Sequence, residues 1–407
     1  MEYAKRQSCQ HDAGDSGGRC SGFEKDVICW HRKSFGLLRR TILGMIVSAL
    51  EGRFAAAAAS PEPRPSRRKV VLVTIGGVRR KETFSEAGLH NIPRLAGEMV
   101  GQSIFYPRIW NEGVTSHFNT ITSILTGVWQ HVDDWGRDRP ADPTLLQYLQ
   151  SQWSVGPSQT WVVTSNKALT ANVGVGANVI LSKQLLVESV ERIIMGTSRH
   201  HQLQRDMLLE ELTAVMQDDY ERIGWSVPSS SAVMDPAVKN MFLTALAAFI
   251  NGPDSPTSGD ELTWFVATEV LKRVSPAILV VNLSDVEVAH SGTYSLHLAG
   301  IRRTDALIYR LWNVLQSLPE YRDNVTMVIV PEFGRDPDGS STNGFFNHRT
   351  DTSTNRMVWA MILGAAVRKP AVVEREVRQI DLAPSLGALL GVECTRAAGR
   401  VLTEFAG

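Results

Sequence analysis

The chain has 407 residues, enough for one large domain or two ordinary ones, and its 43% hydrophobic and 21% charged shares are those of a soluble globular protein. Its 42 basic and 42 acidic residues cancel, which argues against the basic surface that binds nucleic acid. Cys9, Cys20 and Cys29 crowd the first thirty residues and only Cys394 stands beyond them, so a hydrophobic core rather than disulfides must hold the fold.

Residues 1–30 are polar and show no periodicity. From residue 31 a basic stretch (HRKSFGLLRR), a short apolar run (TILGMIVSAL) and a small-residue tract (EGRFAAAAAS) follow in order, the three parts of a secretory signal. The pair Arg39-Arg40 suggests the twin-arginine variety. The apolar run is shorter than the about 20 residues of a membrane-spanning helix. Residues 1–60 are therefore expected to be an upstream segment plus signal, and 61–68 (PEPRPSRR and its end) a linker. The product would be exported to the periplasm or the cell exterior without stable membrane insertion. An ordinary amphipathic N-terminal helix is the alternative.

The folded part opens with KVVLVTI (69–75), a continuous apolar, β-branched run closed by Gly76-Gly77, the pattern of a buried parallel strand. Similar runs recur at 160–165, 277–283, 324–330 and 357–364, separated by helix-period segments at 91–99, 143–152, 236–250, 259–273 and 294–317. Strands alternating with helices predict an α/β fold, a three-layer sandwich with a mainly parallel central sheet covered by helices on both faces. One domain would span 69–407, with a helical insertion near 184–258. In such sheets chemistry collects at the carboxyl ends of strands, which directs attention to the segments just after each apolar run.

Asp285 and His290 share the loop after 277–283, with Glu287 between them; a carboxylate and an imidazole this close can share one divalent cation. Equally, Asp285 could cap the helix that follows and His290 could be a surface residue. Glu332 lies one residue past the strand 324–330, where packing explains a charge poorly, whereas Asp336 and Asp338 fit turn chemistry beside Gly334, Pro337 and Gly339. His348 follows two phenylalanines and reads either as structural or as a ligand. Thr115 and Ser116 stand where TSHFNTITSILTG (115–127) enters a helix, a place that suits an N-cap or an alcohol nucleophile facing an anion.

Together, in this order, these segments resemble the alkaline phosphatase superfamily, which includes sulfatases. The resemblance runs over about residues 68–393 and rests on VLVTIGGVR (71–79), SILTG (123–127), DVEVAHSGTYSLHLAGIRR (285–303), PEFGR (331–335), His348 and QIDLAPSLGALLGVE (379–393). It implies a two-metal site. One metal position would take Asp285, His290 and His348. The other is depleted: Gly76 stands in place of the first strand's aspartate, Glu332 in place of the turn's aspartate and Phe333 in place of its histidine. The nucleophile position falls on His117, with Thr115 and Ser116 just before it.

The resemblance thus implies an exported, metal-dependent hydrolase of phosphate or sulfate esters with a reduced or one-metal site, its partner a small anionic ester substrate and its cofactor a divalent metal (zinc, manganese or calcium). Arg335, Arg79 or Arg349 would clamp the anion, and His117 would serve as base or extra ligand. The alternative is a non-catalytic protein of the same fold that binds an anionic ligand or a partner.

Overall fold

In a computed structural model of the chain, residues 68–133, 138–165, 177–195, 235–250, 256–339, 344–349 and 351–404 are described. The signal and nearly all of the linker, and most of the expected helical insertion, lie outside the described residues. Among those described, no helix is long and apolar enough to cross a membrane.

Among the described residues, nine strands form one sheet: β1 (Lys69–Ile75), β2 (Ile104–Trp110), β3 (Thr160–Thr164), β4 (Asn178–Leu181), β5 (Ile278–Leu283), β6 (Val325–Pro331), β7 (Met357–Gly364), β8 (Ala371–Val372) and β9 (Val377–Arg378). Their order is β4-β3-β5-β1-β6-β7-β2-β8, with β9 also on β2. The pairings from β4 through β6 are parallel, β7 runs antiparallel to both β6 and β2, and β8 and β9 run parallel to β2.

The apolar runs are continuous because both faces of the sheet are covered. Within β1, Val71, Val73 and Ile75 enter one core while Val70 and Leu72 enter the other. The first core is closed by α3 (Ser182–Met195), α4 (Pro236–Ile250), α5 (Gly259–Arg273) and α6 (Tyr294–Ser317), which contribute Leu185, Leu246, Val266 and Ile308 among others. The second is closed by α1 (His117–Thr126), α2 (Leu145–Trp153) and α7 (Leu382–Leu390), through Ile121, Leu149 and Leu386. This is the expected three-layer sandwich.

Strands β2 and β4 have no counterpart among the expected runs. β2 contains Pro107, which lacks an amide donor, and the pairing with β7 shifts register between Tyr106 and Ile109 around it. A proline and Arg108 within seven residues disguise a strand that tolerates them only at a bulge. The helix-period segment 91–99 is irregular: an α-type start at 93–94 runs into a π-type turn, Leu95–Met99.

The register aligns the ends of the three central strands. Ile75 pairs with Leu283 on one side and Pro331 on the other. Beyond that line Gly76 N–H donates to Leu283 O at 2.9 Å, and Glu332 N–H to Ile75 O at 2.7 Å. The loops after β5, β1 and β6 therefore leave the sheet side by side, and the helix start at His117 meets them there.

Candidate metal centre

The loop after β5 winds into a 3-10 helix, Asp285–Ser291. At three residues per turn, positions i and i+3 eclipse, so Glu287 and His290 fall on one side while Asp285 does not join them. Glu287 Oε2 lies 3.1 Å from His290 Nε2 and 3.5 Å from His117 Nε2, and it accepts from Arg335 Nη2 at 2.6 Å. Its Oε1 accepts from Gly77 N–H at 2.5 Å. Burial alone would raise this carboxyl, but Arg335 and His117 hold it well below the usual carboxylate range.

His117, the first residue of α1, sits between two acids. Its Nδ1 is 2.6 Å from Glu332 Oε2, opposite the Nε2 that faces Glu287. Burial opposes a charge on this ring, and the attraction of Glu332 and Glu287 outweighs it, so its pKa stands well above the ordinary imidazole value. Glu332 is fully buried; burial raises its carboxyl while His117 and Asn282 pull it back. Asn282 Nδ2 donates to its Oε1 at 2.7 Å, and Gln379 Nε2 donates to its backbone oxygen at 2.9 Å.

His348 completes the cluster. Its ring stacks on Phe333, with centroids 4.2 Å apart, and stands edge-on to His290 at 5.0 Å. Its Nδ1 donates to Thr115 O at 2.8 Å, while Thr115 Oγ1 donates to His348 O at 2.6 Å. A carbonyl can only accept, so Nδ1 carries the proton and Nε2 is left as the lone-pair nitrogen. Burial holds this imidazole well below its ordinary pKa, hence neutral.

His117, Glu287 and His348 are all buried, and each offers a ligand atom within 4.8 Å of the others. The set fits a divalent cation. A metal-bound histidine ordinarily gives its second ring nitrogen to a carboxylate or a backbone carbonyl, and here His117 Nδ1 faces Glu332 while His348 Nδ1 faces Thr115 O. Glu332 thus lies behind His117, and His290 borders the group through Glu287.

The remaining expected residues are placed otherwise. Asp285, expected as a ligand with His290 and His348, pairs through Oδ2 with Arg303 Nη1 at 2.8 Å and accepts from Asp260 N–H through Oδ1 at 3.2 Å. Asp260 in turn accepts from Ser284 N–H and Asp285 N–H, a reciprocal tie between β5 and the start of α5. Glu287, noticed in the sequence only as lying between Asp285 and His290, has the position Asp285 was expected to hold. The variant Asp285→Asn is accordingly expected to keep the wild-type cation stoichiometry on titration; loss of the ion would reinstate Asp285.

Ser116 caps α1 geometrically, and its Oγ accepts from Asn119 Nδ2 at 2.8 Å. Thr115 commits its hydroxyl proton to His348 O, whereas Ser116 Oγ serves as an acceptor. Arg335 is committed inward, through Nε to Gly77 O at 2.7 Å, Nη1 to Phe345 O at 3.3 Å and Nη2 to Glu287. Arg79 binds Glu82, Asp336 O and Asp338. Arg349 is exposed beside His348. Asp338 pairs with Arg79 and Lys81, and Asp336 N–H donates to Asn347 O while its Oδ1 accepts from Asn355, so both serve the turn.

No family model matches the chain, and no curated protein sequence matches it. Solved structures do share the architecture. A protein in the alkaline phosphatase superfamily from Vibrio parahaemolyticus aligns with a TM-score of 0.53 at 15% identity, covering 84% of this chain and 71% of that one. Alkaline phosphatase PafA aligns at 0.52 and 11% identity, over 85% of this chain and 100% of its own. A phosphonate monoester hydrolase of Agrobacterium radiobacter aligns at 0.53 and 13%, over 84% and 77%. The fold is that of the alkaline phosphatase superfamily. At such identities the likeness establishes this alkaline phosphatase-like fold alone, and the chemistry has to be argued from the side chains at its strand ends.

Proposed function

We propose that this chain seats one divalent cation between His117, Glu287 and His348 and hydrolyses phosphate or sulfate esters with it, acting after export from the cytoplasm. The observation that carries the reading is the pair of imidazoles whose Nδ1 atoms are held by Glu332 and Thr115 O, with ligand atoms of both within 4.8 Å of Glu287; a cation there would take the place of the Nε2 proton that His117 carries between its two acids. Two imidazoles and a carboxylate are donors for zinc or manganese rather than for calcium, which takes six to eight oxygens. When bound, such an ion supplies Lewis acidity toward an ester oxygen and lowers the pKa of water.

The protein groups divide the remaining work. Thr115 gives its hydroxyl proton to His348 O and Ser116 Oγ accepts from Asn119 Nδ2, so neither hydroxyl is paired with a base among the described residues, which favours water over a side-chain alcohol as the attacking group. Glu332 holds His117, and His290 stands on the solvent side of Glu287 as proton donor. The N-terminal sequence, with Arg39-Arg40 before an apolar run, supports export.

A second reading, a non-catalytic binder of an anionic ligand, is favoured by one observation: Gly76 at the end of β1 carries no acid, and Glu287 occupies the space beside it. One experiment separates the two. Purified full-length protein is titrated with zinc and manganese and assayed on nitrophenyl phosphate and nitrophenyl sulfate. About one equivalent of bound ion, metal-dependent turnover, and loss of both by about 100-fold or more in His348→Ala are expected. Ion uptake without turnover moves the protein to the second reading, and absence of uptake removes the metal centre altogether.

A further inference from the structure

One carboxylate of this centre, Glu287, already has a cation of its own. Arg335 is wholly buried, and its guanidinium spans the gap between the loops after β1 and β5. Nε donates to Gly77 O at 2.7 Å and Nη2 to Glu287 Oε2 at 2.6 Å, while Glu287 Oε1 accepts Gly77 N–H at 2.5 Å. Both polar groups of one backbone residue are thereby clamped by a single ion pair.

The glycines make room for it. A Cβ on Gly76 would stand 2.4 Å from Glu287 Oε1 and 3.0 Å from Val286 Cγ2. A Cβ on Gly77 would stand 2.7 Å from the Phe333 ring and 3.3 Å from Arg335 Nε. The volume that side chains at the end of β1 would use is filled from the neighbouring loops by a glutamate, a phenylalanine and an arginine. Phe333 offers no ligand atom and separates Gly77 from the stacked His348 ring. Beside Glu287, then, one face is turned to His117 and His290 and the other is closed by a fixed positive charge.

We infer that Arg335 is a built-in substitute for a second metal ion: it supplies to Glu287 the positive charge that another divalent cation would bring, and it limits the centre to one ion. The inference rests on the one-cation reading above and extends it to the second position. Arg335 acts here as a positioning residue, through Glu287. Two roles for it make opposite predictions. If Arg335 only shapes the loop, removing it weakens cation binding. If its charge stands in for an ion, removing that charge relieves repulsion and opens room.

The variants are Arg335→Gln, which drops the charge and keeps a donor, and Arg335→Lys, which keeps the charge. Zinc stoichiometry and affinity are read by calorimetry and elemental analysis on the full chain, without reference to turnover. Wild type and Arg335→Lys are expected to bind one equivalent. Arg335→Gln is expected to bind a second equivalent, or to bind the first about tenfold more tightly. An unchanged or weaker Arg335→Gln, or an Arg335→Lys that gains an ion as the glutamine variant does, overturns the inference while the one-cation reading stands. A wild type that binds none beside an Arg335→Gln that binds one upholds the charge substitution and removes the one-cation reading; no uptake by either removes both. Should Arg335→Gln fail to fold alone, recovery of its thermal transition with zinc supports the inference, and failure to recover overturns it.

Discussion

Replacing Glu287 with alanine is expected to lower the free energy of unfolding by about 3–5 kcal/mol, more than any exposed substitution in the molecule. The reason is what the change leaves behind rather than what it removes. Arg335 is fully buried, and its Nη2 would lose its carboxylate 2.6 Å away; Gly77 N–H would lose its acceptor, and His117 one of its two flanking acids. An unpaired charge in the interior has to be solvated by opening the structure. Glu287→Gln keeps one oxygen, which can accept from Gly77 N–H or from Arg335 but not from both, and turns its amide N–H toward the other donor; its loss should be smaller than that of alanine, though larger than the about 1 kcal/mol of a typical neutral hydrogen bond. Urea unfolding followed by tryptophan fluorescence reads both. If Glu287→Ala lies within about 1 kcal/mol of wild type, the ion pair is not what holds the loops after β1, β5 and β6 together.

The second large effect is a mutation that restores an acid at the end of β1. Gly76→Asp adds a side chain whose first atom meets Glu287 Oε1 at 2.4 Å, and it adds a second carboxylate in a buried place. Overpacking and like-charge repulsion act together, and a loss of about 3 kcal/mol or more, or failure to accumulate as soluble protein, is expected. The double variant Gly76→Asp with Glu287→Ala should be much less damaged than the two single effects summed, because the new carboxylate enters the vacated space next to Arg335. A coupling of about 1–3 kcal/mol in the favourable direction is the expected outcome of the double-mutant cycle. Strict additivity would contradict the view that these two positions compete for one place.

That competition also explains which parts of the site could be read from the sequence. The strands β1, β3, β5, β6 and β7 announced themselves as continuous apolar runs because both faces of each are buried. Glu332 was legible as a charge stranded at a strand end, where packing gives it no reason to be, whereas His348 read either as structural or as a ligand and His117 entered only through the family resemblance. Glu287 was not legible, since nothing in DVEVAH announces that the loop coils at three residues per turn rather than opening into an extended bend. Once the segment is seen as a 3-10 helix, Glu287 and His290 pair by spacing and Asp285 is left to Arg303 and α5. Arg335 suffered the same ambiguity: a buried arginine and a rim arginine have the same letter, and only its three inward bonds distinguish them. Asn282, Gln379 and Thr115 O, which orient the cluster, are polar groups whose role exists only in three dimensions.

The most direct measurement is an anomalous scattering map at the zinc edge from crystals of the protein grown with zinc. The account predicts one peak within about 2.0–2.3 Å of nitrogen atoms of His117 and His348 and a carboxylate oxygen of Glu287, with Arg335 still on Glu287. A peak held by Asp285, or no peak near His117 and His348, would contradict it.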